Sequence, residues 1–312
     1  MKYLGNDSKQ LSAMTIGTVQ LGMNYGIAND GGKPDEEKSF AMLRSAFLGG
    51  ITALDTARAY GDSEDVIGRF LKTWEGETPY IATKIRKFPD GLENVERHMV
   101  ESIETSLERL GVNKVNTLML HNPIDMFEHG EEAYRVMQSF LKKGYADRIG
   151  VSVYTSADVR EMLKYPDYSV TQVPMSIFDQ RMINDGTVDA LKERDYTVFV
   201  RSVFLQGLFF LDPDKIDDPI LVKEAVPGIR LLRELAAAEG LSVAALAIAF
   251  MRDVAGVTSL VLGADTPEQV KANIEYFNTP ALSAKTLSRI KECFINTDIP
   301  EIMKVLTRPK AQ

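Results

Sequence analysis

The chain has 312 residues, 45% of them hydrophobic, with a formal net charge of -8 and a pI near 5.1. An acidic balance without clustered Lys and Arg excludes a nucleic-acid groove, and the length permits a core that needs no disulfide or metal staple. No run approaches the ~20 apolar residues of a membrane span, and a single cysteine excludes an internal disulfide.

The N-terminal "MKYLGNDSKQ" carries no apolar leader. With reduced-cysteine usage this predicts a cytoplasmic protein. The apolar run 14–22, "MTIGTVQLG", reads as a first strand, and 36–50 has helical period closed by Gly49-Gly50. Residues 51–57, "ITALDTA", form a second strand, followed by a helix at 63–72 with acidic residues in its first turn. A third strand at 80–85 precedes a long amphipathic helix at 92–111. Strand 115–122 and helix 131–144 follow, then strand 148–154 and helix 157–165. Strand 169–176 is paired with a helix near 187–194, and 196–203 is the next strand. The stretch 228–254 reads as two helices divided near Gly240-Leu241-Ser242. Strand 258–264 and helix 267–277 close the series.

About eight apolar strands alternating with helices, and no polar linker, predict a single-domain (β/α)8 TIM barrel over 1–312. An open doubly wound sheet is the alternative, but no GxGxxG follows the first strand. The irregular stretch 212–228 reads as a mobile flap over a site. Cys293 is expected to be a half-buried, unreactive thiol. His98, His121 and His129 show no metal-ligand spacing, so no metal is expected.

In such a barrel chemistry belongs at the C-terminal ends of strands. Four polar residues fall there: Asp55, Tyr60 on the following loop, Lys84 inside "IATKI", and His121 after "LML". Singly each has an ordinary reading, as a turn cap, a half-buried aromatic or a satisfied core histidine. Lys84 is hardest to dismiss, because lysine is almost never fully buried unless paired. Together they make a proton donor. Asp55 holds the Lys84 ammonium, the ammonium is expected to lower the Tyr60 phenol from its usual value of about 10, and His121 orients a carbonyl oxygen. The set has no nucleophile and no hydride, so a carbonyl reduction requires a nicotinamide.

"LDTARAYGDSEDVIG", followed by Lys84 and His121, resembles the aldo-keto reductase superfamily, and the similarity runs from "GTVQLG" to "GADTPEQVKAN". The resemblance implies an NAD(P)H-dependent oxidoreductase acting on an aldehyde or ketone, with catalytic tetrad Asp55, Tyr60, Lys84 and His121. For the cofactor it implies Gly17, Thr18 and Asp55 near the first strands, and Ser152 and Gln172 on the carboxamide, with Val153 where the family commonly has asparagine. "RSVFLQGLF" resembles the segment that wraps the pyrophosphate through Ser202, Leu205 and Gly207, and Arg201 stands where an aromatic often stacks on nicotinamide. Gly263, Asp265, Gln269 and Asn273 match the adenosine clamp. Asp265 in place of a Lys or Arg that would meet a 2′-phosphate leans the cofactor toward NADH over NADPH.

Tyr25, Arg58, Asn122, Phe178 and Phe204 are the expected walls of a substrate pocket for a small carbonyl compound, sugar-like in polarity. Monomers and homodimers are the forms the resemblance implies, with neither nucleic acid nor membrane as partner. Two other functions stay open. One is a Schiff-base lyase through Lys84, the other a non-catalytic nicotinamide-sensing subunit.

Overall fold

In the computed structural model, which describes residues 3–4, 11–27 and 31–308, eight parallel strands close into a barrel. They are β1 (Met14–Gly17), β2 (Ala53–Asp55), β3 (Tyr80–Ile85), β4 (Val115–Leu120), β5 (Ala146–Ser152), β6 (Tyr168–Pro174), β7 (Thr197–Arg201) and β8 (Ser259–Leu262). Each pairs with its neighbour in sequence, and β8 returns to β1 through Leu260 opposite Met14. Parallel pairing requires a crossover between strands, and helices supply it. Among them are Glu36–Leu48, Ser63–Leu71, Val95–Leu110, Pro123–Lys143, Ser156–Met162, Thr187–Glu193, Val243–Arg252 and Pro267–Phe277. A short antiparallel pair, Tyr3–Leu4 with Leu11–Ser12, precedes β1. The rest of the N-terminal stretch read above as lacking a leader lies outside the described residues.

The core has two parts. The larger packs the outer faces of the strands against the helices. A smaller cluster of Leu11, Ala53, Tyr80, Ala82, Met119, Val170 and Phe199 takes one or two residues from each of several strands and fills the barrel interior. Polar groups in that interior pair with one another: Tyr80 Oη with Thr117 Oγ1 at 2.6 Å, and Thr15 Oγ1 with Ser259 Oγ at 2.8 Å.

Several expectations shift. The first strand ends at Gly17, and Val19–Gly22 forms a helical turn. The helix expected from 131 begins at Pro123, where Asn122 accepts the Ile124 N–H and proline occupies the first turn. A break at His129 (φ -129°, ψ 20°) interrupts its period, which hid the first two turns from pattern reading. The stretch 212–228 is no irregular flap. Asp218 caps a helix at Pro219–Glu224 through the N–H groups of Ile220 and Leu221, and its other oxygen accepts from Arg308 at 2.7 Å. Cys293 is exposed rather than half-buried. It sits on Ala284–Phe294, one of two helices beyond the eight-unit pattern, the other being Ile299–Leu306. Among the described residues no group of His, Cys, Asp or Glu is placed to hold a metal ion, and no single helix is long and apolar enough to cross a membrane.

Candidate active site

Side chains along a strand alternate between faces. The interior cluster therefore sets the phase for the residues one rung above it. Ala53 leads to Asp55, Ala82 to Lys84, Met119 to His121, Val170 to Gln172 and Phe199 to Arg201. Five polar residues from five strands thus rise from the core toward the C-terminal mouth. Sequence position and pleat bring them together.

Asp55 is the hub. Lys84 Nζ donates to Asp55 Oδ1 at 2.6 Å and to the Thr56 carbonyl at 2.9 Å. Gln172 Nε2 donates to the same Oδ1 at 2.8 Å. The Lys84 side chain is 0% exposed, so its partners are provided entirely by protein. Its ammonium lies 5.1 Å from the centroid of the Tyr60 ring. The Tyr60 ring meets His121 edge-on, centroids 5.6 Å apart. The four tetrad residues expected from sequence are one contiguous cluster.

Tyr60 is not on a strand, and its placement depends on close backbone contact. Its N–H bonds to the Ala57 carbonyl, and its own carbonyl accepts from Ser63 N as the helix Ser63–Leu71 begins, both at 3.0 Å. Gly22 packs directly on this turn: a Cβ there would lie 1.7 Å from the Tyr60 carbonyl oxygen. Gly61, at φ 56°, leaves similarly little room, a Cβ falling 2.3 Å from the Gly22 carbonyl oxygen. Behind the turn, Ser63 Oγ donates to the Thr18 carbonyl at 2.9 Å, while Thr18 Oγ1 donates to the Asp55 carbonyl at 2.9 Å. These hydroxyls tie the loop after β1 to the loop after β2.

Burial dominates the electrostatics. It pushes the Tyr60 phenol well above the ordinary tyrosine value, the Asp55 carboxylate adds to the rise, and Arg201 opposes both. This corrects the expected lowering: desolvation of the phenolate outweighs the favourable charges near it. Tyr60 is therefore held as a neutral phenol, a proton donor. Burial also pushes Lys84 down, with Asp55 working against it. His121 is pushed down to about 3 by burial, then by the charges of Lys84 and Arg201. Its imidazole is neutral at physiological pH, able to donate from one nitrogen and accept at the other.

A cavity of about 480 Å³ opens beside this cluster and extends to the helix Pro267–Phe277. Of the residues assigned to the cofactor by resemblance, Gly17, Thr18, Asp55, Gln172, Arg201, Ser202, Gly207, Gly263, Asp265, Gln269 and Asn273 line it. Ser152 and Leu205 are buried behind the wall. Of the expected substrate walls, Tyr25 and Phe204 line the cavity. Phe178 does not: it stacks on Phe294 (centroids 4.9 Å) and contacts Phe209 (4.8 Å) in the core. Asn122 caps its helix, and Arg58 sits half-buried with its N–H on the Lys84 carbonyl.

Sequence reading missed Gln20, Gln206, Phe210 and Tyr276, which also line the cavity. Gln20 Oε1 is buried with no hydrogen-bond partner among the described residues. Its amide nitrogen would lie 2.3 Å from a Cβ on Gly263, so Gly263 admits Gln20 to the wall. Ser202, Leu205 and Gln206 all hold positive φ (64°, 45° and 56°), a costly run for non-glycine residues. The signal for Gln20 was its spacing within "GTVQLG", but nothing in the sequence announces the left-handed backbone at Ser202, Leu205 and Gln206.

The family model for the aldo/keto reductase family matches residues 13–295. L-glyceraldehyde 3-phosphate reductase of Escherichia coli (strain K12) is 26% identical, covering 93% of this chain and 91% of the relative. NADH-specific methylglyoxal reductase of the same organism is 25% identical, covering 88% of this chain and 92% of its own. A glycerol dehydrogenase from Gluconobacter oxydans has the same fold, with a TM-score of 0.74 at 20% identity over 99% of this chain and 96% of that one. With its tetrad assembled at the mouth of a closed barrel, the chain belongs to the aldo/keto reductase family and is an oxidoreductase.

Proposed function

We propose that the protein reduces an aldehyde or ketone to an alcohol, with Tyr60 as proton donor and a nicotinamide as the source of hydride. One observation carries this reading: the Tyr60 phenol meets His121 edge-on beside the Asp55–Lys84 pair, at the edge of a long cavity. The cavity has the size and the mixed lining of a cofactor site. Gln20 Oε1 in its wall, without a partner among the described residues, and the positive-φ residues Ser202, Leu205 and Gln206 fit a polar, extended ligand. Gln172 would hold the nicotinamide end, Ser202 and Gly207 the pyrophosphate, with Gly263, Gln269 and Asn273 at the adenosine.

When bound, a reduced nicotinamide supplies hydride to the carbonyl carbon. The chain's own part is to hold the oxygen and deliver a proton to it. His121, kept neutral, donates a hydrogen bond that orients the carbonyl oxygen toward Tyr60. As charge builds on that oxygen, the Tyr60 Oη proton moves to it, and the phenolate left behind is stabilised by Lys84, itself fixed by Asp55. Lys84 does not line the cavity and its side chain is fully buried, which counts against a Schiff base with substrate. Tyr60→Phe should lower the rate of reduction ~10²–10⁴-fold while cofactor binding persists. Full activity in that variant would remove Tyr60 from its role.

A preference for NADH belongs to the same proposal. Asp265 and Gln269 line the cavity, Gln269 Oε1 accepting the Asp265 N–H at 2.6 Å. Burial raises the Asp265 carboxyl and Lys38 opposes that rise. A carboxylate there accepts a ribose hydroxyl and repels a 2′-phosphate. Fluorescence titrations with both cofactors test this, and markedly tighter NADPH would overturn it.

A further inference from the structure

Among the described residues, Arg201 is a cation without a counter-ion at the catalytic mouth. It ends β7 in the same phase as Phe199 and lines the cavity beside Tyr25, Tyr60 and Phe204. Its guanidinium lies over the Tyr154 ring, 4.7 Å from the centroid. Its hydrogen bonds go to neutral oxygens: Nη2 donates to the Val153 carbonyl at 3.3 Å and Nη1 to Ser202 Oγ at 3.4 Å. Among the described residues no carboxylate forms an ion pair with it; its contacts are Ser202 Oγ, the Val153 carbonyl and the Tyr154 ring. Of the two carboxylates in the cavity wall, Asp55 and Asp265, Asp55 already spends Oδ1 on Lys84 and Gln172.

An aromatic face and a backbone carbonyl fix the orientation of this side chain without neutralising it. A guanidinium presents five donors in a rigid fork, and two are engaged among the described residues. A half-buried, oriented, uncompensated cation is costly unless something anionic meets it. Its charge is felt throughout the site, lowering His121 and opposing the rise of Tyr60 and Tyr25. The phenol of Tyr25 stands at the same wall, a second donor for an oxyanion.

We infer that Arg201, with Tyr25, recognises an anionic group on the substrate, so that the preferred carbonyl compounds carry a carboxylate or a phosphate. This rests on the reductase reading above and narrows it from neutral sugar-like compounds to acidic ones. A carboxylate and a phosphate share the chemistry that a guanidinium fork recognises, and the test separates them. It also separates the other anion available to the site, the phosphates of the cofactor.

The experiment compares matched carbonyl pairs under both nicotinamides: 4-oxobutanoate against butanal, and glyceraldehyde 3-phosphate against glyceraldehyde. In the wild type one anionic member at least should exceed its neutral twin in kcat/KM by about tenfold or more, mainly through KM, as expected for a charge-assisted hydrogen bond. Which pair shows the gap tells carboxylate from phosphate. In Arg201→Met the anionic-to-neutral ratio should fall toward one, and Arg201→Lys should recover part of it. Turnover of the neutral twins with no anionic preference overturns the inference and leaves the reductase reading standing. So does an Arg201→Met variant that weakens NADH binding while keeping the ratio, since Arg201 would then serve the cofactor. Failure of all four carbonyls, in a protein that binds nicotinamide, removes both readings.

Discussion

Gly22 and Tyr60 touch backbone to backbone, with no space for a methyl group between the Gly22 α-carbon and the Tyr60 carbonyl oxygen. The catalytic phenol thus stands on a turn whose height above the barrel is set by a residue 38 positions earlier. Gly22→Ala should move that turn outward. A shift of about 1 Å at a reacting group costs on the order of 10²-fold in rate. Steady-state kinetics should show kcat falling while the far-ultraviolet circular dichroism stays native. A variant with unchanged kcat would mean that the turn relaxes freely.

Lys84 and Asp55 should be far more sensitive to single than to paired replacement. Lys84→Met leaves the Asp55 carboxylate buried with Gln172 but no cation. Removing one partner of a buried pair costs about 3–5 kcal/mol. The double variant Lys84→Met/Asp55→Asn removes the stranded charge and should regain a large part of that loss. Urea denaturation of the three proteins decides it, and a single variant within about 1 kcal/mol of wild type would contradict the pairing.

Two desolvated groups, His121 and Asp125, should give opposite pH slopes. His121 is held at about 3, below its usual value of about 6.5, so the unfolded chain binds the extra proton between those limits. Its contribution to stability is present above pH 6.5 and lost as pH falls toward 3. Asp125 is pushed up to about 7, mainly by burial, and its Oδ2 has no hydrogen-bond partner among the described residues. Here the folded chain holds the proton, so stability is present below about 4 and lost as pH rises to 7. Each slope is about 1.4 kcal/mol per pH unit at most, and in the wild type they oppose one another. His121→Asn should therefore become relatively more stable toward acid, and Asp125→Asn relatively more stable toward neutral pH, keeping the Phe88 N–H bond that Asp125 Oδ1 accepts. Parallel profiles for all three proteins would refute both assignments.

Phe178→Ala should act on stability, not on substrate affinity. The ring is buried between Phe209 and Phe294, and a Cβ on Gly228 would lie 2.6 Å from it. Truncating such a phenylalanine costs about 3–5 kcal/mol. A raised KM with unchanged denaturation would return Phe178 to the pocket wall.

The Phe178 error shows where sequence reading stopped. An aromatic just after β6 looks like a wall of the mouth, but its partner Phe294 comes from a helix outside the eight-unit rhythm. Asp55, Lys84 and His121 were legible because charge or imidazole at the end of an apolar strand breaks an otherwise continuous pattern, and the pleat carries each inward. Gln172 and Arg201 follow the same rule. The Gly22–Gly61 contact and the Thr18–Ser63 bond were not legible, because they depend on how closely two loops approach across about forty residues. The direction of the Tyr60 shift was misjudged for a related reason: sequence names the neighbouring charges but not the depth at which water is lost.

The pleat that lifts Asp55, Lys84, His121, Gln172 and Arg201 also makes the floor of the catalytic bowl the ceiling of the inner hydrophobic plug. Ala53, Ala82, Met119, Val170 and Phe199 each stand one rung beneath a working group. Enlarging any of these plug residues would jack up one reactive side chain relative to its four companions. The plug therefore acts as a levelling course, and changes in its volume would reset chemistry before they unfold the barrel.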